Sequence, residues 1–410
     1  MPLEKKGIAG PFQGIYSASP RPYTPVNSWD NLVNMWTWRG HLLTRPRLNP
    51  WTVSPDGSNI TNAIPFHDIL GFLHNLVLTQ TNAYFMTPGP LWNTALSLQA
   101  WNGATTYAAG DLVSFNGVNY TSLVSTTGNQ PDVSPTQWNV VSTGGAGSTG
   151  LSYGYEVAGG RVYYANGSFP GVYADGEQTI KSMFHPGSFR YVTTLANHLV
   201  TAYTTEPAPG VRNSTLYPQR VRWCDVGNPT QWQETANTSA GHYDLLDVSD
   251  SISGLATLGR SAYIFRTNGI TMMTPTGIGQ QPFQFDQITH APKGVGCFYP
   301  QALDVFGGIA AFPSEDEAYT FDGSTFTPIG GTARDLIYAD IGQTQSAQIL
   351  GNIVVRFNTR FQFLSYWLSM PSSLTGPPVT WIYNWESKGW MKFTSTVGSG
   401  RLFWAGNLVM

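Results

Sequence analysis

Charged residues are scarce in this chain: only 11% of its 410 residues are Asp, Glu, Lys or Arg, against the roughly 25% usual for soluble domains. The formal net charge is −3. Holding nucleic acid by neutralising its phosphates requires clustered cations, so that class of function is excluded. Cysteine is almost absent as well. Cys224 and Cys297 are the only two, so no disulfide framework holds the fold, and two buried free thiols are expected. No apolar run reaches the ~18 residues of a membrane-spanning helix, and Lys5 and Lys6 lack the apolar segment that follows in a secretory signal. A cytoplasmic product with no membrane contact is expected.

The motifs of common catalysis are missing too. The seven histidines are dispersed, with no H-x-x-x-H and no Cys/His cluster of metal-ligand spacing. Neither a G-x-S-x-G elbow nor a phosphate-cradling G-x-x-x-x-G-K-[ST] loop is present. Carboxylates cluster only at Asp225, Asp244, Asp247 and Asp250 and at Glu315-Asp316-Glu317. The latter reads as a solvated hairpin tip. We therefore expect no enzyme, no metal and no cofactor.

What the chain has in abundance is punctuation. Its 44 Gly and 28 Pro fall between short apolar runs, and Ser, Thr, Asn and Gln take over the solvated surface, which is the pattern of many turns joining many strands. Five hairpin-like stretches begin at Ile69, Phe189, Ile252, Ala302 and Ala347. In the third, a Gly259-Arg260 turn precedes the strand Ser261–Phe265, and Asn268-Gly269 is expected to supply the positive φ of a tight corner. The last three copies start about 45 to 50 residues apart, within the range of four-stranded propeller blades. The expected class is all-β: a β-propeller of about five to seven blades with a small inserted β-domain, the alternative being a β-sandwich. The closing stretch "GRLFWAGNLVM" would pair with an N-terminal strand to close the ring.

The inserted domain is placed at 99–142, between an N-terminal part of the propeller (1–98) and a Gly/Ser linker (143–150), with the remainder of the propeller at 151–410. The linker reads as a flexible tether, making the insert a bead on a loop. The order Trp101, Tyr107, Gly110, Val113, Asn116-Gly117, Tyr120, Pro131 and Trp138 resembles the small chitin-binding type of carbohydrate-binding module found on bacterial chitinases. A domain of this size needs large aromatics to fold, so Trp101, Tyr120 and Trp138 are expected as its core. The resemblance implies sugar stacking on exposed aromatics before the final Trp. Val124, Ser125, Asn129 and Gln130 stand there instead. A polar glycan contact through Tyr107, Phe115 or Asn129 is the expectation.

"RVRWCDVGNPTQW" (Arg220 to Trp232) and "NLVNMWTWRGHLLTRPRLNPW" (Asn31 to Trp51) resemble the propeller-like tail nozzle, or packaged-DNA stabilisation, family of short-tailed bacteriophages. That resemblance implies a virion structural protein made in the host cytoplasm. It implies a homo-oligomer, a hexamer, stacked on a portal or adaptor ring, with viral DNA passing through the lumen without specific binding and the insert meeting host surface polysaccharide. Arg39, Arg45, Arg47, Arg220, Arg222 and Arg266 are candidates for carboxylate contacts between subunits. The rival readings are a secreted polysaccharide-degrading enzyme and a lectin.

Overall fold

The computed structural model describes residues 14–15, 28–29, 35–38, 41–44, 54–57, 60–79, 82–86, 92–141, 153–167, 170–207, 214–289, 291–292, 294–300, 302–342, 353–358, 365–371, 378–385 and 388–394. Arg39, Arg45, Arg47, the Gly/Ser linker 143–150 and the closing strand 400–410 lie outside them. The chain divides into two units, Trp51–Gly296 with Asn407–Met410, and Met1–Pro50 with Cys297–Gly406. The fold is all-β, as the turn-rich sequence implies.

Outside the insert, the described residues of the first unit form four larger sheets in chain order, here A to D. Sheet A comprises Ile60–His67, Leu73–Thr79, Ala83–Met86 and Trp92–Ala95. Sheet B comprises Gly154–Ala158, Arg161–Ala165, Val172–Ala174 and Thr179–Ser182, with Ser97–Leu98 added parallel to its last strand. Sheet C comprises Ser188–Leu195, His198–Pro207, Ser214–Trp223 and Gly241–Asp244. Sheet D comprises Ile252–Leu258, Ser261–Arg266, Ile270–Ile278 and Gln281–Gln287. Apart from the added strand of B, each is an antiparallel meander with neighbours in chain order. Sheet B is a further copy that the hairpin pattern did not reveal.

Strand alternation sends successive side chains to opposite faces, and these sheets use both faces for burial. Val162 and Tyr164 of sheet B pack with Phe66, Leu76 and Phe85 of sheet A. From the other face of B, Tyr163 and Ala165 meet Phe189, Val192 and Leu199 of sheet C. Sheet C in turn sends Val200, Ala202 and Val221 against Leu255, Ile264 and Met273 of sheet D. Consecutive sheets thus share consecutive cores, A with B, B with C, C with D.

Polar groups link the first strands of these sheets. The Asn62 side chain accepts from the Tyr153 amide at 3.1 Å, next to the start of sheet B. Thr194 Oγ1 donates to Glu156 Oε1 at 2.8 Å, and Thr257 Oγ1 donates to the Thr194 carbonyl at 2.7 Å. A Cβ on Gly154 would lie 2.0 Å from the Arg190 carbonyl oxygen, so the first strands of B and C approach as closely as only glycine allows.

Tight turns join first to second strands. Gly259 has φ 63°, as the sequence requires, and Ala196 and Asn197 adopt 48° and 61°. The expectation for Asn268-Gly269 is corrected: neither residue has positive φ. A longer corner from Arg266 to Gly269, closed by Arg266 N–H donating to the Gly269 carbonyl at 2.8 Å, makes that conformation unnecessary.

The second unit holds two more four-stranded meanders. Sheet E runs Asp304–Phe306, Ile309–Pro313, Ala318–Phe321 and Phe326–Pro328. Sheet F runs Val354–Asn358, Ser365–Pro371, Pro378–Asn384 and Gly389–Thr394. Helix Arg334–Gly342 lies between them in the chain, and Met35–Trp38 pairs with His41–Thr44 as a hairpin. The half-buried Asp304 carboxylate accepts from the Phe357 amide at 2.7 Å, again joining first strands. Glu315 and Asp316 are exposed, as expected of a hairpin tip, whereas Glu317 turns inward and accepts from the amides of Ala318 and Gly330.

Candidate functional site

The insert begins and ends within sheet B, since Ser97–Leu98 precedes it and Gly154–Ser182 follows it. Leu112–Phe115, Val118–Ser122 and Trp138–Val141 form a three-stranded antiparallel sheet, and Thr106–Tyr107 pairs with Thr126–Thr127 beside it. Asn116 and Gly117 make the first hairpin turn with φ 50° and 76°, the left-handed pair that a two-residue turn demands.

Tyr107, Val113, Tyr120 and Trp138 form the module's buried core, with Trp101 and Phe115 packed against it. Trp138 Nε1 donates to the Asn129 carbonyl at 2.8 Å, and the Tyr107 and Trp138 rings meet edge to face at 5.2 Å. Tyr120 and Trp138 thus occupy the expected core positions. Trp101 is only half-buried, edge to face with Phe115 at 5.4 Å. The expectation that Tyr107 meets sugar is corrected. It is 7% exposed and its hydroxyl accepts from the Asn102 amide at 2.7 Å, so its ring faces are spent on the core.

Phe115 is half-buried and Asn129 is exposed. Asn129 Nδ2 donates to Thr126 Oγ1 at 2.7 Å, which fixes the side chain without burying it. Val133 and Val140 are also exposed, at 70% and 62%. The reachable surface therefore offers two partly open aromatic rings, Trp101 and Phe115, with valines and an amide, and suits edge-on apolar contact with polar supplements.

The bead-on-a-loop expectation is corrected as well. Strand Leu112–Phe115 is shared: Val113 points into the module's core, while Leu112 is buried in the core of sheets A and B. Ser114 accepts from the Trp101 amide at 2.9 Å and donates its own amide to the Gln99 carbonyl at 2.8 Å, so the entering chain pairs with this strand.

Three of the arginines proposed for contacts between subunits are committed within the chain. Arg220 donates from Nε and Nη2 to both oxygens of Asp244 at 2.8 Å, and the paired carboxylate holds its guanidinium pKa above the ordinary value. Arg222 reaches Glu206 at 3.0 Å and Glu234 at 2.9 Å. Arg266, with a side chain 3% exposed, reaches Asp247 at 2.9 Å. Pairing within the chain commits all three guanidinium groups, although the buried Arg266 Nε keeps no partner; this corrects that expectation and accounts for most of the Asp cluster.

Cys224 and Cys297 are buried free thiols, and burial pushes the Cys224 thiol up to about 12. Within "CDVGNPTQW", Asp225 Oδ1 accepts from the Ser239 amide and hydroxyl, the Gly227 amide donates to the Asn197 carbonyl, and Trp232 packs edge to face on His185 at 4.6 Å. Among the described residues, no group of three or more His, Cys, Asp or Glu could hold a metal ion. No helix among them is long and apolar enough to cross a membrane.

Residues 100–139 match the carbohydrate-binding module family 5/12. No curated protein matches the chain. Among solved structures, the computationally designed Ika8 protein is 9% identical over 80% of this chain and 84% of its own, with a TM-score of 0.34. A quinonprotein alcohol dehydrogenase-like protein from Bacteroides thetaiotaomicron is 9% identical over 78% and 81%, with a TM-score of 0.33. Apo AztD from Citrobacter koseri is 10% identical over 83% and 98%, with a TM-score of 0.28. These likenesses are too slight to transfer a fold or an activity. Neither they nor the module match carry the tail-nozzle resemblance.

Proposed function

We propose that this chain is a structural subunit of a short-tailed bacteriophage tail, a nozzle or tube-end protein, whose inserted module contacts glycan on the host surface. The observation that carries the reading is the serial packing of sheets. Meanders A to D share cores in chain order, their first strands are tied by Asn62–Tyr153, Glu156–Thr194 and Thr194–Thr257 contacts, and E and F repeat the first-strand link. Such units suit propeller blades around a common axis, a stiff sleeve through which DNA passes.

In this reading about six copies form a closed ring stacked on a portal or adaptor ring, and the modest negative charge keeps passing DNA from adhering. The match of 100–139 to a carbohydrate-binding module supports the glycan contact, and in this reading Phe115 and Asn129 make it. Leu112 holds the module firmly on its carrier, which suits a surface that must transmit attachment.

Electron microscopy of the purified full chain tests the assembly: a ring of about six copies is expected, and a compact monomer at all concentrations overturns it. Incubation with capsular and cell-wall polysaccharides, followed by a reducing-sugar assay, tests the role. Retention without turnover is expected. Sustained release of reducing ends means an enzyme and sinks the structural assignment.

A further inference from the structure

The first-to-second-strand turns of sheets B, C and D are two residues long: Gly159-Gly160, Ala196-Asn197 and Gly259-Arg260. Sheet A departs from this. Its turn runs from Asp68 to Phe72 and carries Ile69, Leu70 and Phe72, exposed by 83%, 77% and 64%. Three large apolar side chains in four residues make a contiguous patch of the kind that marks an interaction site, unlike the single exposed apolar residues of any surface. The turn is built to hold this shape. Asp68 Oδ1 accepts from the amides of Leu70 and Phe72 at 2.9 Å each, the Asp68 amide donates to the Phe72 carbonyl at 3.0 Å, and Asp68 Oδ2 pairs with His74 Nε2 at 2.9 Å.

On the same unit the turns of B, C and D rim a cavity of about 770 Å³. Leu195, Leu199, Pro229 and Pro275 give it apolar walls. Arg260 is its one charged lining residue, exposed and without an ion-pair partner among the described residues. The base of the apolar turn has the opposite sign. Asp68, Asp175 and Glu177 stand there with Lys181 and Arg161, three carboxylates to two cations, and His74 pairs with Asp68, because the Gly176 turn abuts Asp68 and His74.

We propose that the Ile69-Leu70-Phe72 turn of one copy seats in the B–C–D cavity of a second copy, with Arg260 facing the acidic base of the incoming turn. Knob and hole occur on every chain, so the occupant is supplied by the protein itself. The single cation Arg260 meets a turn base with a small net negative charge, which favours one register over lateral slippage. A rigid turn entering a preformed cavity loses little conformational entropy. The inference deepens the ring reading by naming its contact, yet the two fail separately.

The test mixes two full-length single variants, Leu70→Cys and Arg260→Cys, under mild oxidation, so that a 70–260 disulfide can form only between copies. In parallel, sedimentation velocity compares the wild type with Leu70→Asp/Phe72→Asp, whose far-UV circular dichroism and Tm are expected to be unchanged because both residues are exposed. A mixed-variant disulfide and self-association weakened at least about thirtyfold are expected, the scale of losing hot-spot residues. Assembly that survives the double substitution and yields no disulfide overturns the contact and leaves the ring standing. A disulfide-linked dimer that never forms rings keeps the contact and removes the ring. Monomers at every concentration, or monomers that bind phospholipid vesicles through the turn, overturn the contact and leave this surface to another role.

Discussion

The module and the sheets that carry it reach order by different means. Four buried side chains, Tyr107, Val113, Tyr120 and Trp138, make the whole of the module's core. Sheet B alone contributes to two cores, with Val162 and Tyr164 on one face and Tyr163 and Ala165 on the other. A domain of about forty residues buries too little surface to tolerate the loss of one large aromatic. Sheets buried on both faces spread the same load over neighbours. Leu112 joins the two regimes, because it is the residue of the module that lies in its carrier's core.

The largest expected effect breaks the weaker partner. Trp138→Ala removes a 2% exposed ring together with its hydrogen bond to the Asn129 carbonyl, at a cost of about 4 kcal/mol. That is on the scale of the module's whole stability. Calorimetry should show the module's transition vanish while that of the carrier stays, since no core of sheets A to D contains Trp138. A carrier transition that falls equally would mean that the two are not separable.

Leu112→Ala tests the joint itself. Truncating a side chain that is 5% exposed costs about 3 kcal/mol, and the loss falls on the packing of A against B as well as on the module's seat. Both transitions should move down together. Limited proteolysis should cut within 99–142 at rates far above wild type, whereas Val113→Ala should lower the module's transition alone.

This division shows what was legible in the sequence. The core positions of Tyr120 and Trp138, the Asn116-Gly117 turn and the Gly259 turn are local, fixed by ring size and by the sign of φ, and they appear where expected. Anchoring by Leu112 is not local. A strand reading L-V-S-F with both faces buried has the same spelling whether its second face meets solvent or another core. Tyr107 shows the same limit, since an aromatic next to a polar turn reads as exposed until the Trp138 ring is known to lie across it. Sheet B is less legible because two of its strands are short, Val172–Ala174 and Thr179–Ser182, and because its fifth strand, Ser97–Leu98, stands on the far side of the insert. Arg220, Arg222 and Arg266 read as free surface cations because their carboxylate partners stand 12 to 24 residues away in the chain.

A smaller effect separates two titrating groups of the carrier, half-buried Glu156 and buried His185. Burial raises the Glu156 carboxyl from 4.5 to about 7 and lowers the His185 imidazole from 6.5 to about 4. Folded Glu156 holds its proton where the unfolded chain has released it, so its contribution is present below pH 4.5 and is lost as pH rises to about 7. His185 runs the other way: its contribution is present above pH 6.5 and is lost as pH falls toward 4. Each is worth about 3 kcal/mol at most, so the two slopes oppose each other between these limits. Glu156→Gln should remove one of them. Denaturant titrations across pH 4 to 8 are expected to show the variant gaining stability over wild type at pH 8 and rising more steeply with pH in the acid range. A profile identical to wild type would mean that Glu156 titrates near its ordinary value.

The smallest effect concerns the surface that faces outward. Phe115 leaves an edge open beside Trp101, and Asn129 offers an amide set by Thr126, but no flat ring lies fully exposed among the residues that could stack on a sugar face. An aromatic edge and a few hydrogen bonds support weak binding that gains strength only when many copies act together. Affinity electrophoresis of the full chain through gels containing soluble chitin oligosaccharides or host polysaccharide should show modest retardation. Phe115→Ala should reduce it several-fold with little change in the carrier's Tm, because Phe115 packs only on the module. Asn129→Ala should act less, since its carbonyl, not its side chain, holds Trp138. If Phe115→Ala leaves retardation intact while Val133→Asp or Val140→Asp abolishes it, the sugar lies across the valines, and the aromatic pair is part of the module's frame.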